Sequence, residues 1–173
     1  MKRILAIVGV LAIVATVVQA AWTQPTDDQI KAAANDPSKL PALLQGANAQ
    51  QAASVIVAVL QEAATTTPPA GMTRQALVTQ ITTLGLQGQS QQNIMAIVRE
   101  VGTRMGNLAP ISSAVAAISG FVQTALVALP QAGTGVAAVY TANFNQAVRA
   151  SAPPGEPVDN LLLPPVTTNY RGT

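Results

Sequence analysis

The chain contains neither histidine nor cysteine in its 173 residues. Without them there is no Ser–His–Asp triad, no cysteine nucleophile and no imidazole or thiolate set for zinc or copper. The lack of cysteine also excludes a disulfide framework and a lipid anchor attached to a cysteine after a leader. Aromatic residues are scarce, namely Trp22, Phe121, Tyr140, Phe144 and Tyr170. A core must therefore be assembled from Ala, Val, Leu and Ile. Charged residues amount to 9% of the chain, against about a quarter in ordinary soluble domains. No segment alternates in the way a strand requires, and no glycine-rich phosphate loop follows one.

The most informative segment that is present lies at the start. Lys2 and Arg3, an apolar run from Ile4 to Val18, and Val18-Gln19-Ala20 have the layout of a secretory signal peptide cut after Ala20. The run is shorter than the ~20 residues that cross a bilayer. Nine basic residues become seven once Lys2 and Arg3 leave, against seven acidic ones, so the mature chain is formally neutral. Neutrality removes the clustered positive charge that nucleic acid requires, and electrostatic docking to anionic lipid with it. The expected location is secreted or periplasmic.

Downstream, the chain reads as helices separated by caps and breakers. Thr26-Asp27-Asp28-Gln29 has capping-box spacing and predicts a short helix that stops before Pro37. Ser38 is the expected cap of a second short helix, with Pro41 in its first turn and Gly46 as its stop. Asn48 to Gln51 repeats the capping spacing and opens a helix to near Ala64. Its inward stripe is Ala52, Val55, Ile56, Val59, Leu60 and Ala63. Thr73 to Leu86 follows, with Leu77, Ile81 and Leu84 inward, Gln and Thr outward, and Gly85 and Gly88 as terminators. Ser90 caps a helix to near Met105 that buries Ile94, Ile97, Val98 and Val101. A long helix starts at Asn107 or Pro110 and runs to Leu129; a last one spans roughly Val136 to Ala150.

These signals predict an all-α domain over residues 21–151, with about six helices in antiparallel hairpins, either a bundle or a short α-solenoid. A leader precedes it at 1–20 and a Pro-rich extended tail follows at 152–173. Leu44-Gln45-Gly46 matches Leu86-Gln87-Gly88 at an offset of 42 residues, and Val55–Ala63 lines up with Asn93–Val101 at 38. The second match sets Glu62 opposite Glu100. A period near 40 suits stacked two-helix units. HEAT-type arrays have such a period, but none of their residue patterns is present and no family follows.

No charged residue lies between Arg104 and Arg149. Within that stretch Ile111, Val115, Ile118, Val122, Leu126 and Leu129 fall on one helical face, with Ser112, Ser113, Ser119, Gly120, Gln123 and Thr124 elsewhere. A single stripe suits a packed central helix better than a membrane span, which is apolar all round. In the tail, Pro153, Pro154, Pro157, Pro164 and Pro165 prevent a helix and favour extended chain. Leu161, Leu162 and Leu163 are either a strap on the helical body or a docking peptide for a partner. The cost of leaving three leucines in water favours the strap.

Chemistry is hard to place. A Ser–Lys dyad would need Lys31 or Lys39, both in short polar segments beside helix ends. Glu62 and Glu100 are the one carboxylate pair that a glycosidic acid/base mechanism could use, but Glu100 has a plainer role as i,i+4 partner of Arg104. No carboxylate cluster suggests calcium. The sequence thus predicts an exported, non-catalytic helical protein that works in binding or assembly, with no cofactor and no metal site. Its expected partner is a protein or envelope component, a second copy included, but not nucleic acid; Leu161, Leu162 and Leu163 are the candidate partner-binding residues. The alternative is a membrane-interacting or membrane-inserting protein using the uncharged segment 105–148. A carboxylate-based cell-wall hydrolase comes third.

Overall fold

Side-chain caps fix where most helices begin. A computed structural model of the protein describes residues 22–130, 133–155 and 157–166; the leader expected at 1–20 lies outside them. The helices are α1 (Asp27–Asn35), α2 (Leu40–Leu43), α3 (Ala49–Thr65), α4 (Arg74–Leu86), α5 (Gln91–Leu108), α6 (Ser113–Val127) and α7 (Gly133–Ser151). The described residues contain no strand. Thr26 and Asn48 each close a full capping box, with Gln29 and Gln51 returning the bond. Thr73 and Ser90 accept from Ala76 N and Asn93 N. Each such cap stabilises its helix by about 1 kcal/mol.

Two starts differ from the sequence reading. Before α2 lies a one-turn 3-10 helix, Pro37–Lys39, capped by Asp36 rather than Ser38: its carboxylate accepts the Ser38 amide at 3.3 Å and the Ser38 hydroxyl at 2.6 Å, and α2 follows Lys39 with no side-chain cap of its own. Further on, α5 continues past Met105 to Leu108, and Pro110 sits in a one-turn 3-10 helix, Ala109–Ile111. Proline has no N–H with which to extend the α5 ladder. A new helix therefore starts only at Ser112, whose hydroxyl accepts from Val115 N. Ile111 consequently drops off the expected stripe and stands 78% exposed, while Val115, Ile118, Val122 and Leu126 are buried as expected.

The helices pack in two rows. α1 lies on α3, α3 on α5 and α5 on α7; α2 lies on α4 and α4 on α6. Contacts of α3 with α4, and of α6 with α5 and α7, join the rows. Ile56, Leu60, Thr82, Leu86, Val98, Val101, Val122, Leu126 and Tyr140, drawn from five helices, converge around a void of only about 10 Å³. Full burial of each Leu, Ile or Val there contributes about 1.5–3 kcal/mol. Thr82, expected outside, is buried and donates its hydroxyl to Val78 O at 2.8 Å. Leu84, expected inside, is only half-buried. Gly85 does not end α4 but lets it pass close to α3, since a Cβ there would lie 2.9 Å from Ile56 Cδ1.

The two Leu-Gln-Gly segments form equivalent turns. Ala47 N donates to Leu44 O at 3.0 Å and Gln89 N to Leu86 O at 3.3 Å. Gly46 and Gly88 adopt φ of 79° and 74°, the left-handed conformation that glycine takes without strain. The caps that follow, Asn48 and Ser90, keep the same 42-residue separation. So do the buried positions: Ala52 and Ile94, Val55 and Ile97, Ile56 and Val98, Val59 and Val101, Leu60 and Gly102, Ala63 and Met105. The 38-residue alignment of the second half is therefore one helical turn out of register, and Glu62 corresponds to Arg104 rather than Glu100.

α5 and α7 form the most extensive helix pair, and glycine makes it so. A Cβ on Gly102 would lie 2.8 Å from Tyr140 O; one on Gly106 would collide with Phe144 O and come within 2.7 Å of Ala147 Cβ. Contacts advance together along both helices, ending with Ser151 Oγ donating to Asn107 Oδ1 at 2.7 Å. The two helices therefore run in the same direction with their backbones nearly touching.

Candidate functional site

After α7 the chain turns through Pro153, Pro154 and Gly155, and the segment 158–166 returns across α6 and α7. Val158, Leu161, Leu162, Leu163 and Val166 are each half-buried against the core cluster. Leu161 N donates to Val158 O at 2.9 Å, closing a turn at the start of the segment. Asn145 on α7 then holds Leu163 by both main-chain groups: Nδ2 donates to Leu163 O at 2.9 Å and Oδ1 accepts Leu163 N at 2.8 Å. Gln123 on α6 donates to Pro164 O at 2.7 Å and to Thr141 Oγ1 at 2.8 Å. Thr141 passes its own hydrogen to Ala137 O. Asn145 and Thr141 are four residues apart on one helix and so share a face.

This arrangement recognises backbone. An amide side chain that meets both the N–H and the C=O of one residue selects extended chain, not a particular side chain. Selectivity is left to the leucines and to the prolines behind them. The predicted residues Leu161, Leu162 and Leu163 therefore lie on the helical body, and the groups that hold them there, Asn145 and Gln123, were missed in the sequence. The available signal was a polar pair, Thr141 and Asn145, at helical spacing beside the buried Tyr140 and Phe144.

Two clefts flank the α4–α5 turn. One, of about 490 Å³, lies between the paired turns and is lined by Leu44, Gln45, Gly46, Leu84, Gln87 and Gln89 among others. The other, of about 440 Å³, is lined by Leu84, Leu86, Gln87, Ile94, Leu129 and Pro130 with two small neighbours. Neither is lined by an ionisable side chain. They offer amides and aliphatic carbon, which suit contact but supply no acid or base.

The ionisable groups are dispersed. Glu100 pairs with Arg104 at 3.6 Å on α5, and Lys39 with Asp36 at 3.8 Å. An exposed pair such as Lys39–Asp36 stabilises only weakly; Glu100 and Arg104 are half-buried. The Asp36 carboxyl is held below its ordinary value, first by the Ser38 hydroxyl and also by the Lys39 charge. Arg74, at the start of α4, donates to Ala63 O and, at 2.8 Å, to Thr66 O, binding the open carbonyls at the end of α3. Burial pushes the Tyr140 hydroxyl well above its ordinary range, although it donates to Ser119 O at 3.4 Å. Among the described residues no group of three or more acidic side chains is placed to hold a metal. No helix among them is long and apolar enough to cross a membrane.

Comparison of the chain with family models, curated proteins and solved structures finds no match in any of the three.

Proposed function

We propose that this protein is exported and acts without catalysis, in binding or assembly at the cell envelope or outside the cell. The observation that carries the reading is the way Asn145 and Gln123 hold the 158–166 segment through its main chain. This neutral mode of contact matches a chain whose mature form has equal numbers of basic and acidic residues. The clefts beside the α4–α5 turn add amide-rich surface of the same character. Such surfaces associate without long-range repulsion.

The test combines light scattering over a wide concentration range with co-sedimentation on isolated envelopes. Concentration-dependent association or saturable sedimentation is expected. A strict monomer that leaves envelopes untouched overturns the reading, as does unaided turnover of wall polymer that is lost in Glu62→Gln or Glu100→Gln. Export is tested by amino-terminal sequencing of the secreted form, which should begin at Ala21.

A membrane-acting role through residues 105–148 is favoured by one observation: Ile111 and Val127 are 78% and 43% exposed in that uncharged stretch. Liposome flotation separates the two readings, because stable co-flotation of the protein alone replaces the first by the second.

A further inference from the structure

The strap is attached through groups that any copy of this chain also carries. Asn145 engages the N–H and C=O of Leu163, and Gln123 engages the carbonyl of Pro164. Behind these bonds stand Pro164 and Pro165, which keep the segment extended and have no N–H to satisfy. The side chains that complete the fit, Leu161, Leu162 and Leu163, are half-buried against the core cluster. Pro153, Pro154, Gly155 and Pro157, which join the strap to α7, are exposed. Lifting the strap therefore breaks three hydrogen bonds and uncovers five half-buried side chains, Val158, Leu161, Leu162, Leu163 and Val166.

A seat occupied by a tethered segment is chemically identical to one occupied by the same segment of another molecule. The balance between them depends on the effective concentration of the tether against that of the protein. The joint between α7 and Val158 is six residues long, and short hinges invite exchange of the segment they carry. The neutrality of the mature chain removes the repulsion that would keep copies apart.

We propose that the α6–α7 seat formed by Asn145, Gln123 and Thr141 also takes the 158–166 segment of a second copy, so that copies of this protein join by exchanging their leucine straps. The proposal rests on the assembly reading above and narrows it to one partner and one contact.

The experiment mixes two full-length variants, each checked for helical content by circular dichroism. One, Asn145→Ala with Gln123→Ala, loses the seat and keeps the strap; the other, with Leu161, Leu162 and Leu163 all changed to Ser, loses the strap and keeps the seat. In sedimentation velocity each variant alone should remain monomeric, the equal mixture should form a heterodimer, and the wild type should dimerise as concentration rises. A labelled peptide of residues 158–166 should bind the strap-less variant about tenfold or more tightly than a chain lacking both strap and seat, as expected for loss of the main-chain hydrogen bonds. A mixture that stays monomeric, or equal peptide binding to both, overturns the proposal. If the wild type and both single variants dimerise alike, copies meet through another surface: strap exchange fails and the assembly reading survives. If the protein binds envelopes and never itself, the exchange again fails alone.

Discussion

Two helices in equivalent positions, α3 and α5, are capped alike, follow equivalent turns and bury the same register positions, yet they meet their neighbours differently. At the register position where α3 carries Leu60, α5 carries Gly102; where α3 carries Ala64, α5 carries Gly106. α3 reaches its neighbours through branched side chains, Leu60 being fully buried. α5 presents bare backbone to α7, so that Tyr140 O and Phe144 O occupy the space a Cβ would need. One helical frame thus supports an interdigitated contact on one side and a backbone-to-backbone contact on the other. The choice between them is made at two positions.

The largest way to break this comparison is to exchange those residues. Leu60→Ala should lower the unfolding free energy in urea by about 3 kcal/mol, as cavity formation in a full core does. Gly102→Leu, which installs the α3 residue in α5, should cost about as much by forcing α7 away. A Gly102→Leu chain as stable as wild type would mean that α5 and α7 are not packed backbone to backbone. Next comes Gly106→Ala, for which about 2 kcal/mol is expected because the colliding atom is main chain and cannot rotate aside. Gly120→Ala is the control that sharpens it. Gly120 lies inside α6 with nothing within 4 Å of its would-be Cβ, so the change should stabilise by about 0.5–1 kcal/mol.

The smallest effects concern the polar groups. Asn145→Ala should destabilise by about 1 kcal/mol and free the strap, which limited proteolysis between Pro153 and Pro165 would register. Tyr140 yields an alkaline signature. Its folded pKa is raised, so its contribution is complete below the ordinary tyrosine value of 10.0 and declines as pH rises beyond it. The urea midpoint should therefore fall above that pH in the wild type and less steeply in Tyr140→Phe. At neutral pH Tyr140→Phe should cost little, because the lost bond is 3.4 Å long.

How much of this was legible depended on range. Caps and turns act within four residues, and Thr26, Asn48, Thr73 and Ser90 announce their helices from sequence alone. Aliphatic stripes were equally readable, since Val55, Ile97, Ile118 and their neighbours recur at helical spacing. Two misplacements turned on near neighbours, and the remaining ones were decided by distant chain. Thr82 is inside because its hydroxyl bonds back to Val78 O, and Ile111 is outside because Pro110 ends the preceding ladder. Gly102 and Gly106 have the four-residue spacing of small residues at close helix contacts, but that spacing names no partner; only the path of α7 does. The strap was readable as a cost to be covered. Asn145 and Gln123 were not readable as what holds it, because a neutral amide in a helix carries no sign of its target.

Arg74 illustrates a freedom that follows from the same preference for main-chain targets. Its guanidinium grips the tail end of the preceding helix at two carbonyls, and every amino acid supplies a carbonyl. Mutational drift at Thr66 can therefore proceed without loosening the clasp, whereas drift at Arg74 cannot; Ala63 is constrained by its own burial instead. The clasp thus adds a charge–dipole contact at the end of α3 to the apolar packing that already joins α3 and α4 through Ile56, Leu60, Thr82 and Leu86.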